Sequence, residues 1–219
     1  DRLQGQNEHR AARKLLQSKQ FSPTTEATEN QRLLLAMASA TALEDGDWAK
    51  SIVSGIEPDH FLNYERNLIN RAARLQEQTY RLAGDNLAAA ITLILLSGAD
   101  TDANTQSIHD DIWKNLKQTS DTQLADRKGR AIGYEAQGWL ELAGILRQPG
   151  INLDEQGRMI RNWQNNWPDH PAAGALPAEL QLIASLAESQ PERITLALPL
   201  SGPLSSAGAA IRDGFFAAY

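Results

Sequence analysis

The chain has 219 residues, of which 42% are hydrophobic and 22% charged, a composition typical of a globular protein with one or two domains. Its 21 basic and 27 acidic residues give a formal net charge of -6, and the Lys and Arg are scattered, so neither a nucleic-acid-binding surface nor a polybasic membrane patch is expected. The absence of cysteine excludes disulfides, thiol catalysis and cysteine-bound zinc, and no apolar run is long enough to span a bilayer.

Consecutive helices are predicted over residues 1–190. In the first clear example, apolar residues at 33–43 recur every three or four positions, which predicts one buried helix face. Gly46 is expected to end this helix, and Asp47 is expected to cap a second helix with apolar residues at 48–53. The two helices would form a first helical hairpin.

A second hairpin is predicted to follow the first. Its first helix is expected to begin at Pro58 and end at Gly84, with Asp85 capping the next helix. A shift of 39 positions superimposes part of the apolar pattern, a period somewhat longer than the ~34 residues of a tetratricopeptide repeat (TPR). Because one hairpin cannot bury its apolar face alone, the predicted fold class is all-α, a TPR-like array of stacked helical hairpins, or α-solenoid. The superimposed pairs are Leu43 and Leu82, Trp48 and Leu87, Ala49 and Ala88, and Ile52 and Ile91.

The rest of the helical region is less regular. Ser120 and Gln123 form a capping-box pattern at the start of a short helix. A helix predicted at 132–146 contains three glycines, each costing up to ~1 kcal/mol relative to alanine, so a close approach of another helix is expected there. These glycines are Gly133, Gly138 and Gly144. The other helices are expected at 108–116, 159–167 and 180–186.

Aromatic and basic residues on these helices are assigned to structure before binding. Four tryptophans could form a carbohydrate platform, but their helical spacing favours a buried seam; they are Trp113, Trp139, Trp163 and Trp167. Four arginines are expected on the solvated side of one helix, interleaved with glutamates, and not in an anion site; they are Arg66, Arg71, Arg74 and Arg81.

The sequence changes character after Pro191. Apolar residues alternate with other residues over 194–200, which predicts a strand, and residues 201–203 are expected to turn the chain towards a helix from about Ser205. One strand and one helix are only the opening of an α/β domain. The expected division is therefore a helical domain at 1–190 and an incomplete α/β segment at 191–219, poorly packed because a lone strand has no partners. The apolar pattern continues to the last residue, so we expect a longer protein.

No catalytic or cofactor-binding motif is present in the sequence. The four histidines are about fifty or more residues apart, and no His-Glu-x-x-His, Ser-x-x-Lys, Gly-x-Ser-x-Gly or Gly-Lys-Ser/Thr sequence occurs. Surface or capping roles are expected for His60 and His109. The protein is therefore not expected to be an enzyme, and no cofactor is expected.

One loop partly copies a calcium-binding motif. Asp100, Asp102 and Asn104 match ligand positions one, three and five, and Asp111 matches position twelve. Position six is Thr105 where the sharp turn favours glycine, and an aspartate replaces the bidentate glutamate. An acidic loop that caps the next helix explains the same residues, so no metal site is predicted.

The segment 201–208 offers an alternative function. Hydroxyl groups and free backbone N–H groups between a strand and a helix N-terminus can hold a polar ligand, and the residues concerned are Ser201, Ser205, Ser206 and Gly208. The alternative is a periplasmic receptor for an amino-acid-like small molecule. A plain strand-to-helix turn explains the same residues, and without the rest of a sheet the loop cannot complete a pocket.

Two groups of motifs resemble known proteins. Residues 193–219, with Leu-Pro-Leu-Ser-Gly at 198–202 and Ala-Ile-Arg-Asp-Gly-Phe at 210–215, resemble the start of type I periplasmic-binding-protein domains. The segments Gly-Trp-Leu-Glu-Leu at 138–142, Trp-Gln-Asn-Asn-Trp-Pro-Asp-His-Pro at 163–171 and Leu-Pro-Ala-Glu-Leu at 176–180 are similar to the junction region of the LpoA family. That family consists of outer-membrane lipoproteins that activate a bifunctional class A penicillin-binding protein.

The resemblance implies a non-enzymatic regulator of peptidoglycan synthesis. Its TPR-like domain would be followed by a binding-protein-like domain, to which the family's contact with the synthase is chiefly attributed. The protein would lie on the periplasmic side of the outer membrane, held by a lipidated cysteine upstream of Asp1. Its expected partner is the class A synthase, with peptidoglycan as a further candidate, and no functional residue of the family can be placed on this chain.

Overall fold

The computed structural model describes residues 2–18, 25–99, 105–128, 133–188, 195–199 and 201–218. It divides into two compact units, Asp1–Ala187 and Glu188–Tyr219. The described residues form helices, turns and irregular segments without a β-strand, so the all-α class is confirmed. No helix in the described ranges has the length and apolar character needed to cross a membrane.

The elements are numbered in chain order. In the first unit they are α1 (Arg2–Gly5), α2 (His9–Leu16), α3 (Glu26–Ala42), α4 (Gly46–Val53), a 3-10 helix (His60–Asn63), α5 (Ile69–Ala83), α6 (Asn86–Ala99), α7 (Thr105–Gln118), α8 (Asp121–Lys128), α9 (Tyr134–Ile145), α10 (Leu153–Asn166), α11 (Pro171–Gly174) and α12 (Ala178–Glu188). The second unit contains α13 (Ser205–Ala218).

Neighbouring helices in the sequence pack against each other through much of the first unit. Helix α4 packs on α5, α5 on α6 and α6 on α7, and α3 contacts both α2 and α5. Helix α9 contacts α6, α7, α8 and α10, which joins the later helices to the earlier ones. One apolar core runs through these contacts, and its largest fully buried side chains include Met37, Phe61, Leu93, Trp139 and Trp163.

The turns after α3 and α5 have the same geometry. A left-handed residue, Glu44 with φ 52° and Gly84 with φ 86°, is followed by an aspartate that caps the next helix. Asp45 N–H donates to the Ala40 carbonyl at 3.0 Å, and Asp85 N–H donates to the Tyr80 carbonyl at 2.9 Å. Such bonds satisfy carbonyls that the end of a helix leaves free. The two turns therefore repeat at a spacing of 40 residues.

This repeat corrects two details of the sequence prediction. Asp45, and not Asp47, caps α4 by accepting from the Trp48 N–H at 2.9 Å, and Gly46 is the first residue of α4 instead of the end of α3. The caps therefore align one position away from the 39-residue shift that the apolar pattern suggested. Gly84 and Asp85 do have the predicted roles, at the end of α5 and the start of α6.

The helix predicted from Pro58 begins later, at Ile69. Residues 54–68 instead form an irregular segment around the 3-10 helix, although Phe61 and Tyr64 are buried. Two buried side chains of α5 satisfy backbone carbonyls of this segment, because Gln76 Nε2 donates to Glu57 O and Tyr80 Oη donates to Ile56 O, both at 2.8 Å. Tertiary hydrogen bonds thus replace those that a longer helix would have supplied.

The second unit departs from the predicted strand. Residues 195–199 form no strand, because a strand requires a neighbouring backbone with which to pair, whereas Ile194 and Leu200 lie outside the described residues. Helix α13 begins at Ser205, as predicted. Much of its apolar surface is exposed, including Ile211 and Phe216 at 56% and 70%.

Candidate binding site and the aromatic core

The predicted tryptophan seam is part of the core. Trp113, Trp139 and Trp163 are buried, and Trp167 is half-buried against the same cluster. Trp163 Nε1 donates to the Gly138 carbonyl at 2.9 Å, which connects α10 to α9. The expected close approach is found at Gly138, where a Cβ would lie 2.5 Å from His170 Cδ2, although a side chain and not a helix backbone makes it. At Gly133, the N-cap of α9, nothing lies within 4 Å of the Cβ position, so the prediction is wrong there. These tryptophans therefore serve packing and not an exposed carbohydrate platform.

His170 is held at the centre of this aromatic cluster. Its Nδ1 accepts from the Ala172 N–H at 3.1 Å and caps α11, while its Nε2–H donates to the Glu135 carbonyl at 2.8 Å. These two bonds assign the neutral Nε2–H tautomer. Burial lowers the pKa of His170 below its usual 6.5 despite the favourable bond to Glu135. His170 is therefore a structural histidine that holds α9 and α11 together.

The position of His109 also differs from the sequence prediction. The surface or capping role expected for it is wrong, because its side chain is fully buried within α7. Its Nδ1–H donates to the Ala175 carbonyl at 2.6 Å, and its ring lies edge-on to Trp139. His60 is half-buried at the start of the 3-10 helix, where burial lowers its pKa. Among the described residues, neither histidine pairs with a nucleophilic side chain or belongs to a group that could hold a metal.

The calcium-like loop lies mostly outside the described residues, since Asp100, Asp102 and Asn104 are not among them. Asp111, the last matching position, has a different role: Arg74 Nη1 donates to its Oδ2 at 2.6 Å and connects α5 to α7. Within the part of the chain that the structure describes, no group of three or more His, Asp or Glu side chains could hold a metal.

The structure places the predicted ligand loop at the start of α13. Ser201 and Ser206 are exposed, and Ser205 is half-buried. Gly208 has a packing role, because a Cβ there would collide with the Pro199 carbonyl. Ligand binding by these four residues stays a prediction.

One cleft in the first unit has a volume of about 590 Å³ and is bounded by α2, α3 and α4. Its rim carries Glu29 and Arg32, which pair with each other through two hydrogen bonds of 2.7 and 2.5 Å. This pairing lowers the pKa of Glu29. The two charged side chains of this cleft therefore already pair with each other.

A second cleft, which we call the α3–α5 groove, lies between α3 and the chain that enters α5. It has a volume of about 420 Å³. An apolar floor is combined with exposed polar groups on the rim, the combination found in many small-ligand sites. Its lining residues are Ala27, Asn30, Gln31, Leu34, Leu35, Asn63, Tyr64, Glu65, Leu68 and Arg71.

Two hydrogen bonds fix the walls of the α3–α5 groove. Tyr64 Oη donates to the Asn30 carbonyl at 2.9 Å, and Asn30 Nδ2 donates to the Asn63 carbonyl at 3.3 Å. Burial raises the pKa of Tyr64 to about 12, so its hydroxyl remains a donor at neutral pH. The groove is therefore preformed, because both bonds join the irregular segment to α3.

Two comparisons with other sequences identify similar proteins. The family model described as "LppC putative lipoprotein" matches residues 3–219. A relative from Aliivibrio fischeri, named penicillin-binding protein activator LpoA, is 30% identical over 145 residues, which are 65% of this chain and 24% of the relative. A relative of the same name from Glaesserella parasuis is 27% identical over 182 residues, which are 83% of this chain and 31% of the relative. The chain thus spans about a quarter to a third of their length.

Solved structures show the same fold. The structure of Haemophilus influenzae LpoA aligns over 97% of this chain and 38% of the LpoA chain, with a TM-score of 0.62 and 20% identity. The amino-terminal domain of Escherichia coli LpoA aligns with 82% of this chain and 78% of its own, with a TM-score of 0.55 and 21% identity.

Proposed function

Because the chain belongs to the LppC lipoprotein family, we propose that it is the helical part of a penicillin-binding protein activator. The whole protein would bind a class A penicillin-binding protein and stimulate its transpeptidase activity without catalysing a reaction itself. The match of the family model over residues 3–219 carries this proposal, and relatives named as activators support it. It is a proposal about a longer protein, since those relatives extend well beyond the region matched here.

Within that protein the first unit would act as a scaffold. Successive contacts from α3 to α7 and one shared core make it suited to hold other parts of the chain at a fixed place. We propose a location on the periplasmic side of the outer membrane, with a lipid anchor as the membrane attachment. The synthase would be contacted chiefly by the binding-protein-like domain, and peptidoglycan is a further candidate contact.

Reconstitution with purified components tests the activator role. The full-length protein is added to a class A synthase from the same bacterium with lipid-linked substrate, and the fraction of cross-linked muropeptides is measured. A synthase with its transpeptidase serine replaced is the matched control, because it should show no gain in cross-linking. We expect binding and increased cross-linking with the active synthase. Failure of the full-length protein to bind or stimulate any class A synthase would overturn the proposal.

The same assay with the 219-residue chain tests whether the helical unit or the binding-protein-like domain makes the main contact with the synthase. We expect it to stimulate cross-linking weakly or not at all, because the main contact with the synthase would lie elsewhere in the full-length protein. Strong stimulation by residues 1–190 would show that the helical unit is itself the activating surface.

A further inference from the structure

The α3–α5 groove carries two charged side chains that have no ion-pair partner among the described residues. Its floor is apolar, with Leu34 and Tyr64 each only 8% exposed and Leu68 half-buried. The exposed side chains of Glu65 and Arg71 lie on its rim. Neither has an ion-pair partner among the described residues, unlike the Glu29–Arg32 pair of the larger cleft. Both charges are therefore available to a ligand.

The charges limit the class of ligand. One guanidinium and one carboxylate give the lining residues no net charge, which disfavours phosphates and polyanions, because Glu65 would repel them. A ligand that carries one charge of each sign matches both groups. The exposed amide of Gln31 can also donate to or accept from a peptide unit.

The volume limits the length of the ligand. Two extended residues span ~7 Å, and a cavity of about 420 Å³ accommodates a segment of this size. The apolar floor requires at least one aliphatic side chain to displace water from it. The walls are already joined by the Tyr64–Asn30 and Asn30–Asn63 bonds, so binding would require little ordering of the protein.

We propose that the α3–α5 groove binds a short zwitterionic peptide of two or three residues with an aliphatic side chain. Its terminal carboxylate contacts Arg71, its ammonium contacts Glu65, and its aliphatic side chain lies on the apolar floor. This site does not depend on the activator role, and it would remain if that role were disproved.

Titration of the 219-residue chain with the dipeptide alanyl-leucine tests the proposal, using calorimetry and backbone NMR. The matched ligands are its C-terminal amide and its N-acetyl form, each of which lacks one charge. We expect each blocked form to bind about 2- to 5-fold more weakly, because solvent screens an ion pair that forms at an exposed rim. Resonances of residues that line the groove should shift during the titration.

Two variants and one control variant test whether the ligand binds in the α3–α5 groove. Arg71→Gln should weaken binding of the free dipeptide about 2- to 5-fold but leave the amide nearly unaffected. Arg66→Gln is the matched control, because Arg66 is equally exposed, also has no ion-pair partner among the described residues and does not line the groove. Ala27→Trp, at an exposed lining position, should block all three ligands while the circular dichroism of the folded state is retained.

Three results would contradict the proposal or its details. Absence of binding at millimolar alanyl-leucine would overturn the proposal. Equal effects of Arg71→Gln and Arg66→Gln, or equal binding of the free dipeptide and its amide, would overturn the assignment of the carboxylate to Arg71. Undiminished binding by folded Ala27→Trp would place the ligand outside the groove.

Discussion

The turn between α3 and α4 contains a strained backbone position that a single substitution should relieve. Glu44 has φ 52°, whereas Gly84 has φ 86° at the equivalent position of the turn after α5. The Glu44 side chain is exposed and makes no hydrogen bond among the described residues. Glu44→Gly should therefore stabilise the first unit, because it removes the Cβ and loses no side-chain contact.

The expected gain follows from two opposing terms. A left-handed residue with a Cβ costs ~1–2 kcal/mol. Glycine makes the unfolded chain more flexible, which costs ~0.4–1 kcal/mol. The net stabilisation is on the order of 0.5–1 kcal/mol, or about 1–4 °C in melting temperature for a unit of this size. Gly84→Ala reverses both terms and should lower the stability by a similar amount.

Urea unfolding followed by circular dichroism measures both changes. Glu44→Ala is the matched control, because it removes the side chain but retains the Cβ, and it should leave the free energy of unfolding within about 0.5 kcal/mol of the wild-type value. A loss of stability in Glu44→Gly, or an equal gain in Glu44→Ala, would refute the explanation by backbone strain.

Three further results are expected. The unfolding free energy should fall as pH decreases below about 6.5, because His170 has a lower pKa in the folded state than in the unfolded chain, which therefore binds the proton at higher pH. An NMR titration midpoint for His170 at or above 6.5 would contradict this. Gly138→Ala should cost about 1–2 kcal/mol in urea unfolding, since its Cβ would lie 2.5 Å from His170 Cδ2; an unchanged stability would show that the ring shifts freely. A calcium chelator should leave the melting temperature unchanged, because Asp111 already pairs with Arg74; a decrease would indicate a calcium site.

Features governed by neighbours in the sequence could be predicted from it. Ser120 and Gln123 form the expected capping box, with Ser120 N–H donating to Gln123 Oε1 and Gln123 N–H donating to Ser120 Oγ, both at 3.3 Å. Gly84 ends α5 in the left-handed conformation, as its position after an apolar helix indicated. These signals succeed because each depends on a few residues along one turn of chain.

Features that depend on distant contacts could not be predicted in the same way. Glu44 adopts a conformation that favours glycine, so residue type misled the boundary prediction, although comparison with Gly84 at a spacing of 40 could have corrected it. His109 is polar but its position in α7 faces the core, where Ala175 supplies its acceptor 66 residues away. His170 did carry a local signal, because the following Pro171 is typical of the first position in a helix.

The α3–α5 groove arises from a difference between the two hairpins. The matching turns at Glu44–Asp45 and Gly84–Asp85 give both hairpins the same connection. The irregular segment 54–68 separates the two hairpins and provides Asn63, Tyr64, Glu65 and Leu68 to the groove. Hydrogen bonds to and from Asn30 on one side, and from α5 on the other, hold that segment in place. The repeat thus accounts for the two similar hairpins, and the segment between them accounts for the candidate site.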